Sequence, residues 1–186
     1  MEIHLMRRLV LRELHGRLWH TTHPDRFKRI LETGSILPIP EAPNPDGWRT
    51  MDGEPYRSYA HTLGGVSLFD FDQFDPESYA TRCPMSSWYT FVPYQEKWGA
   101  AVWIEIDREI VAPSLISAVD VVTRWNTDKA YRHNFMPYIE AIYVGPLPRA
   151  AFVRAFIVSK TESEIRALPL ESVIGSGSHP VGDEGP

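Results

Sequence analysis

An α+β fold is predicted for this 186-residue chain from three observations. A short apolar strand near the N-terminus runs into one clear amphipathic helix. A long Pro/Gly/Asn/Asp-rich loop follows, and beyond residue 65 most apolar segments read as strands. No Gly-x-Gly-x-x-Gly or Walker-type sequence opens a βαβ unit, so Rossmann and P-loop nucleotide binding are unsupported.

Arg17 to Thr21 reads as the first strand. Thr22 can cap the following helix, with Asp25 three residues on as in a capping box. Phe27, Ile30 and Leu31 share one helical face and Gly34 supplies the stop. Ser35 to Pro55 is the long loop, a feature that in compact domains is functional or disordered. Gly64-Gly65 introduces a strand over Val66 to Phe71. Ala100 to Ile106 alternates, with Val102, Ile104 and Ile106 on one side and Trp103, Glu105 and Asp107 on the other, so Glu105 is expected on a solvated face. Ala118 to Thr123 is a candidate strand and Thr127 to Asn134 a short helix. Tyr138 to Val144 is a strand ended by Gly145-Pro146, and Phe152 to Ser159 is the last. Thr161 to Leu168 adds a short helix. Residues 1–171 form one domain, and 172–186, poor in apolar groups, form a disordered tail.

Composition narrows the function. Apolar residues make up 43% and charged residues 23% of the chain, as in ordinary globular proteins. Six Trp, eight Tyr and eight Phe fit an aromatic core or a binding cleft. The net charge of −5, with no Lys/Arg run, argues against a broad phosphate-tracking surface but allows a local basic contact. Cys83 stands alone, which excludes an intrachain disulfide and a cysteine zinc site. No apolar run approaches the ~18 residues of a membrane span and no leader is recognisable, so no membrane role and a cytoplasmic location are expected.

Four side chains carry candidate chemistry. Glu140 lies on a strand among Tyr138, Ile142 and Val144, where a charge costs free energy unless it is paired or solvated. It either faces a ligand cleft or pairs at a strand edge with an arginine such as Arg132 or Arg124. His20 and Thr21 end a strand just before a helix, where donors and ligands often meet; local packing of the histidine is the alternative. Ser67 follows two glycines that permit close backbone approach, and its alternative is a buried hydroxyl bonding a neighbouring carbonyl. Gly-Val-Ser-Leu-Phe is not a nucleophile elbow. His20 and His23 have no third partner at a metal-binding interval, so no metal is expected.

Three stretches together resemble the ADP-ribosyltransferase superfamily over about residues 17 to 158. Leu18-Trp19-His20-Thr21-Thr22, with Phe27, Ile30-Leu31, Gly34 and Ile36-Leu37-Pro38, is similar to its first motif. Gly65-Val66-Ser67-Leu68-Phe69 is similar to the second. Ile139-Glu140-Ala141-Ile142-Tyr143-Val144, followed by Pro146-Leu147-Pro148, is similar to the third. Their order and length resemble most the DNA-targeting (DarT-type) bacterial and phage toxins. The second motif has no Ser-Thr-Ser and Tyr138 stands two residues before the glutamate. The Glu-x-Glu of arginine-modifying transferases is absent.

The resemblance implies a split β-sheet core with short flanking helices. It implies NAD as co-substrate without a metal, and a macromolecular acceptor such as DNA or RNA, with a possible antitoxin protein as partner. Glu140 would be catalytic. His20 with Thr21 would hold a ribose, Ser67 would support the pocket, and Tyr59 or Tyr138 would stack on nicotinamide. Arg49 or Arg57 would supply the arginine that DarT-type enzymes use. Residues 38–58 would form a lid. Residues 124–137 would face the acceptor through Trp125, Asn126, Tyr131 and Arg132. An NAD glycohydrolase toxin, an RNA 2′-phosphotransferase of the same fold and a non-catalytic binding module are the alternatives.

Overall fold

β1 (Leu18–Thr22) occupies the middle of a seven-stranded sheet whose neighbours are all antiparallel. The computed structural model describes residues 3–39, 58–162 and 164–171. Most of the expected loop, Arg49, Arg57 and the expected tail lie outside them. Across the sheet the order is β5 (Leu115–Ile116), β6 (Glu140–Val144), β3 (Gly65–Asp70), β1, β4 (Ala100–Ile106), β8 (Phe152–Ser159) and β9 (Arg166–Leu168). A separate two-stranded ribbon joins β2 (Ser35–Ile36) to β7 (Leu147–Pro148). A large antiparallel sheet with short helices makes the fold α+β.

Both faces of the sheet are buried. α1 (Ile3–Leu14) places Met6, Val10 and Leu14 on one face against Trp19, Phe69, Trp103 and Phe156. α2 (Pro24–Thr33) places Phe27 and Ile30 on the other, against Leu18, Leu68, Val102 and Ile104. The alternation Leu18/Trp19, Leu68/Phe69 and Trp103/Ile104 sends successive side chains into different cores. Two-sided burial also explains why Glu105 is not on a solvated face. It is 6% exposed and accepts from Arg17 at 2.5 Å and from Arg154 at 2.6 Å. Arg154 also bonds Glu13 of α1 at 2.9 Å, so the carboxylate anchors the helix to the sheet through half-exposed guanidinium groups.

Several elements differ from the sequence expectation. The cap of α2 is His23, whose Nδ1 accepts the Asp25 N–H at 3.1 Å, rather than Thr22; Thr22 is still paired within β1. Gly34 ends that helix at φ 73°, a conformation glycine adopts without a Cβ penalty. Ala118 to Thr123 is not a strand but the start of α6 (Ala118–Thr127), capped by Ser117. Ala118, Val121 and Trp125 point inward at helical spacing while Val119 is exposed, so helical periodicity prevails over the β-branched valines. The expected helix over 127–134 is replaced by turns after the Asp128 cap, with Lys129 at φ 51°. The expected helix over 161–168 is replaced by β9, an edge strand paired with β8. Four helices had no counterpart in the sequence reading, among them α1 and α4 (Pro76–Arg82) with its Asp75 cap. The other two are the short helices α3 (Tyr59–Thr62) and α5 (Arg108–Val111).

At Gly65 the neighbouring β6 leaves no room for a side chain. A Cβ there would fall against Ile142 Cγ2 and lie 3.0 Å from the Tyr143 carbonyl. Gly65→Ala is therefore expected to lower unfolding stability by about 1–3 kcal/mol through overpacking, measured by urea denaturation. A change below about 0.5 kcal/mol would show that the strands have room to separate.

Candidate functional site

The β1–β3 ladder ends early. Only Leu18↔Asp70 and Trp19↔Phe69 pair, whereas β1 stays paired with β4 through Thr22↔Val102. Past Trp19 the sheet parts on one side of β1, and a cleft of about 530 Å³ opens there. His20, Thr21, Ser67 and Glu140 all line it. Four candidate residues separated by up to 120 positions in the chain thus meet in one place.

His20 bridges the gap. Its Nδ1 lies 3.1 Å from the Ser67 carbonyl oxygen. A carbonyl can only accept, so Nδ1 carries the proton and Nε2 is left as an acceptor. Desolvation pushes the imidazole pKa down to about 4, opposed by the Ser67 bond and reinforced by the charge of Arg26. The ring is neutral at physiological pH and suited to accept from a hydroxyl.

Glu140 is 3% exposed. It starts β6 after a tight turn in which Glu140 N–H donates to the Met136 carbonyl at 2.9 Å. In return, Met136 N–H donates to Glu140 Oε2 at 2.8 Å. Tyr79 O–H holds the same turn by donating to the Pro137 carbonyl at 2.7 Å. Among the described residues no cation forms an ion pair with Glu140. Arg124 instead lies 3.8 Å from Asp128, and Arg132 is exposed, so neither supplies the expected structural pairing. Burial pushes the Glu140 carboxyl up to about 7, opposed by hydrogen bonds from the Ser67 hydroxyl and the Met136 N–H. Such a carboxylate is poised between its two forms at neutral pH.

The remaining candidates fall elsewhere. Tyr59 is 1% exposed and donates to Asp128 Oδ2 at 2.5 Å; it is a core side chain with no face for stacking. Tyr138, at φ 61°, lines a different hollow, with the Arg82 guanidinium 3.5 Å from its ring centroid. Trp125 packs on Tyr131 and Phe135 and donates its N–H to the His133 carbonyl at 3.0 Å. The Asn126 amide is used within α6, on the Val122 carbonyl. Tyr131 and Arg132 are exposed, and none of these four residues lines the cleft.

Arg26 and Trp98 also line the cleft, and sequence reasoning missed both. Arg26 follows the His23 cap by three residues and Trp98 precedes Gly99, an αL residue at φ 66°. Either signal marks a helix or turn boundary but does not say which cavity the side chain meets. Among the described residues no group of three His, Cys, Asp or Glu is placed to hold a metal ion, and no helix is long and apolar enough to cross a membrane. Comparison of the chain with family models, curated proteins and solved structures finds no match.

The Glu140 shift has a thermodynamic consequence. Its folded pKa lies above its unfolded value of 4.5, so the stabilisation present below pH 4.5 is lost as pH rises through about 7. Glu140→Gln should be more stable than the wild type at pH 8 by on the order of 3 kcal/mol, with the difference shrinking toward pH 5. Paired urea unfolding curves check this. Because His20 is common to both proteins, its own titration cancels to first order. A difference independent of pH would mean that Glu140 titrates normally.

Proposed function

We propose that the cleft binds NAD and that the protein is an ADP-ribosyltransferase acting on a macromolecular acceptor, with a nucleic-acid base as the favoured target class. One observation carries the reading: the three stretches resembling the superfamily motifs converge on a single cleft, where Glu140 is buried and, among the described residues, in no ion pair. The parting of β1 from β3 fits the split sheet that the resemblance implies.

In the proposed reaction the bond between nicotinamide and ribose C1′ breaks, and nicotinamide leaves with the electron pair. The ribose becomes oxocarbenium-like. An ionised Glu140, desolvated and fixed by Met136 N–H and Ser67, stabilises that developing charge and orients the ribose 2′-hydroxyl. Neutral His20 accepts from a ribose hydroxyl through Nε2. The acceptor nucleophile then bonds C1′ and releases its proton. Tyr131 and Arg132, exposed on the segment before Glu140, are the acceptor-facing candidates. A phosphotransferase would need several basic residues converging on the site. Among the described residues Arg26 is the lining arginine and no lysine joins it, which favours the transferase.

Incubation with radiolabelled NAD and parallel DNA, RNA and protein acceptors tests the reading. Label on an acceptor or on the protein itself supports transfer, free ADP-ribose supports a glycohydrolase, and no turnover supports a binding module. Glu140→Ala should lower turnover by at least about a hundredfold with the fold retained by circular dichroism. Wild-type kcat/KM should rise with pH through about 7, because the free enzyme must lose the Glu140 proton. Near-normal activity in Glu140→Ala removes the glutamate from the mechanism.

A further inference from the structure

Two polar atoms at the cleft have no hydrogen-bond partner among the described residues. Thr21 Oγ1 and Trp98 Nε1 are both buried and unsatisfied, and both residues line the cleft. An orphaned buried donor costs about 1–3 kcal/mol, and native structures hold few of them. Two at one cavity, each closed off from solvent in the free protein, mark a place where a ligand that displaces the covering groups completes the bonding. The indole N–H is donor only, so its missing partner is an acceptor.

Their surroundings define the chemistry of that partner. Trp98 sits at the end of a 3-10 turn, Glu96–Trp98, and its ring meets His23, the cap of α2, edge-on at 6.4 Å. Arg26 rises from the first turn of the same helix and also lines the cleft. Its charge reaches His20, contributing to the depressed imidazole pKa. Thr21, Arg26 and Trp98 therefore form a donor-bearing wall on the β1–α2 side. Glu140 and the Met136 turn lie on the β3–β6 side, and the carboxylate is an acceptor there. The neutral His20 connects the two: it bonds the Ser67 carbonyl, the Ser67 hydroxyl bonds Glu140, and the Arg26 charge reaches its ring.

We propose that the Thr21–Arg26–Trp98 wall receives the diphosphate of the bound dinucleotide, with the Trp98 indole N–H donating directly to a phosphate oxygen and Arg26 supplying the countercharge. The proposal rests on the NAD reading of the cleft and adds the direction in which the dinucleotide lies. The nicotinamide ribose is at Glu140, and the phosphates are at the opposite wall. Thr21 Oγ1 bonds the same group or the adjoining ribose hydroxyl.

Trp98→Phe removes the donor and keeps most of the ring. No intramolecular bond is lost, so the melting temperature of the free protein should stay the same or rise slightly. Affinity for NAD and for ADP-ribose should fall about ten- to a hundredfold, the effect of one hydrogen bond to a charged group. Binding of nicotinamide riboside, which has no diphosphate, should change by less than about twofold. In the wild type, the Trp98 indole N–H resonance in 15N-labelled protein should move on titration with ADP-ribose and stay in place with nicotinamide riboside. Unchanged NAD and ADP-ribose affinity in Trp98→Phe, or an indole resonance that stays in place at saturation, overturns the proposal even if NAD is turned over. An equal loss for all three ligands also overturns it, since that is the signature of a packing role. If ADP-ribose moves the Trp98 resonance and no turnover occurs, the subsite stands and the transferase reading falls. If neither NAD nor ADP-ribose binds, both fall.

Discussion

β1 is hydrogen-bonded on both sides only over its first two residues. From His20 onward it keeps β4 and leaves β3, and the rest of the site follows from that divergence. A sheet that loses a ladder must satisfy backbone groups in another way. The Ser67 carbonyl is satisfied by the His20 ring, which fixes the tautomer and leaves Nε2 as an acceptor. The gap also gives Glu140 a cavity on which to open, in a strand otherwise packed among Ala141 and Ile142. Trp19, immediately before the divergence, is fully buried and donates its N–H to the Leu14 carbonyl at 3.0 Å. The strand is thus held by the α1 core up to the residue where it must separate.

The two buried glutamates illustrate how environment assigns roles. Glu105 has two arginines and holds α1 to the sheet. Glu140 has two hydrogen bonds and no ion pair among the described residues, and its carboxyl is pushed up to about 7. An uncompensated carboxylate destabilises the fold at high pH, and such costs concentrate at functional sites. The unsatisfied Thr21 hydroxyl and Trp98 N–H belong to the same pattern. Three groups lacking full compensation at one cleft are harder to account for by packing than any one of them alone.

The sheet was largely legible in the sequence because its strands are bounded by sharp signals. Gly64-Gly65, Gly145-Pro146 and the alternation in Ala100–Ile106 locate β3, β6 and β4 to within about two residues. Glu105 was misplaced because period-two alternation shows that two faces differ, not that either is wet. α6 was missed because valines at 119, 121 and 122 mimic a strand, although Ser117 and Asp120 carry a helix-cap signal. His20, Ser67 and Glu140 were findable by order along the chain. Arg26 and Trp98 were not, because their place in the cleft depends on how α2 and the turn before β4 pack. Tyr59 was misleading since an aromatic near a motif is as readily a core residue as a stacking platform, and here it belongs to the core around Val121 and Ile142.

The proposed reaction requires the Glu140 carboxylate, which has two hydrogen bonds and no ion pair among the described residues, to face a bound pyridinium nucleotide. The most direct test follows the 13C carboxyl resonance of Glu140 through a pH titration, with and without a non-hydrolysable NAD analogue that keeps the positive charge on the nicotinamide ring. A midpoint near 7 is expected in the free protein, with a clear downward shift when the cationic ring is bound, because a nearby opposite charge favours the ionised form. A midpoint in the ordinary carboxylate range, or one that saturating analogue leaves unmoved, would contradict it.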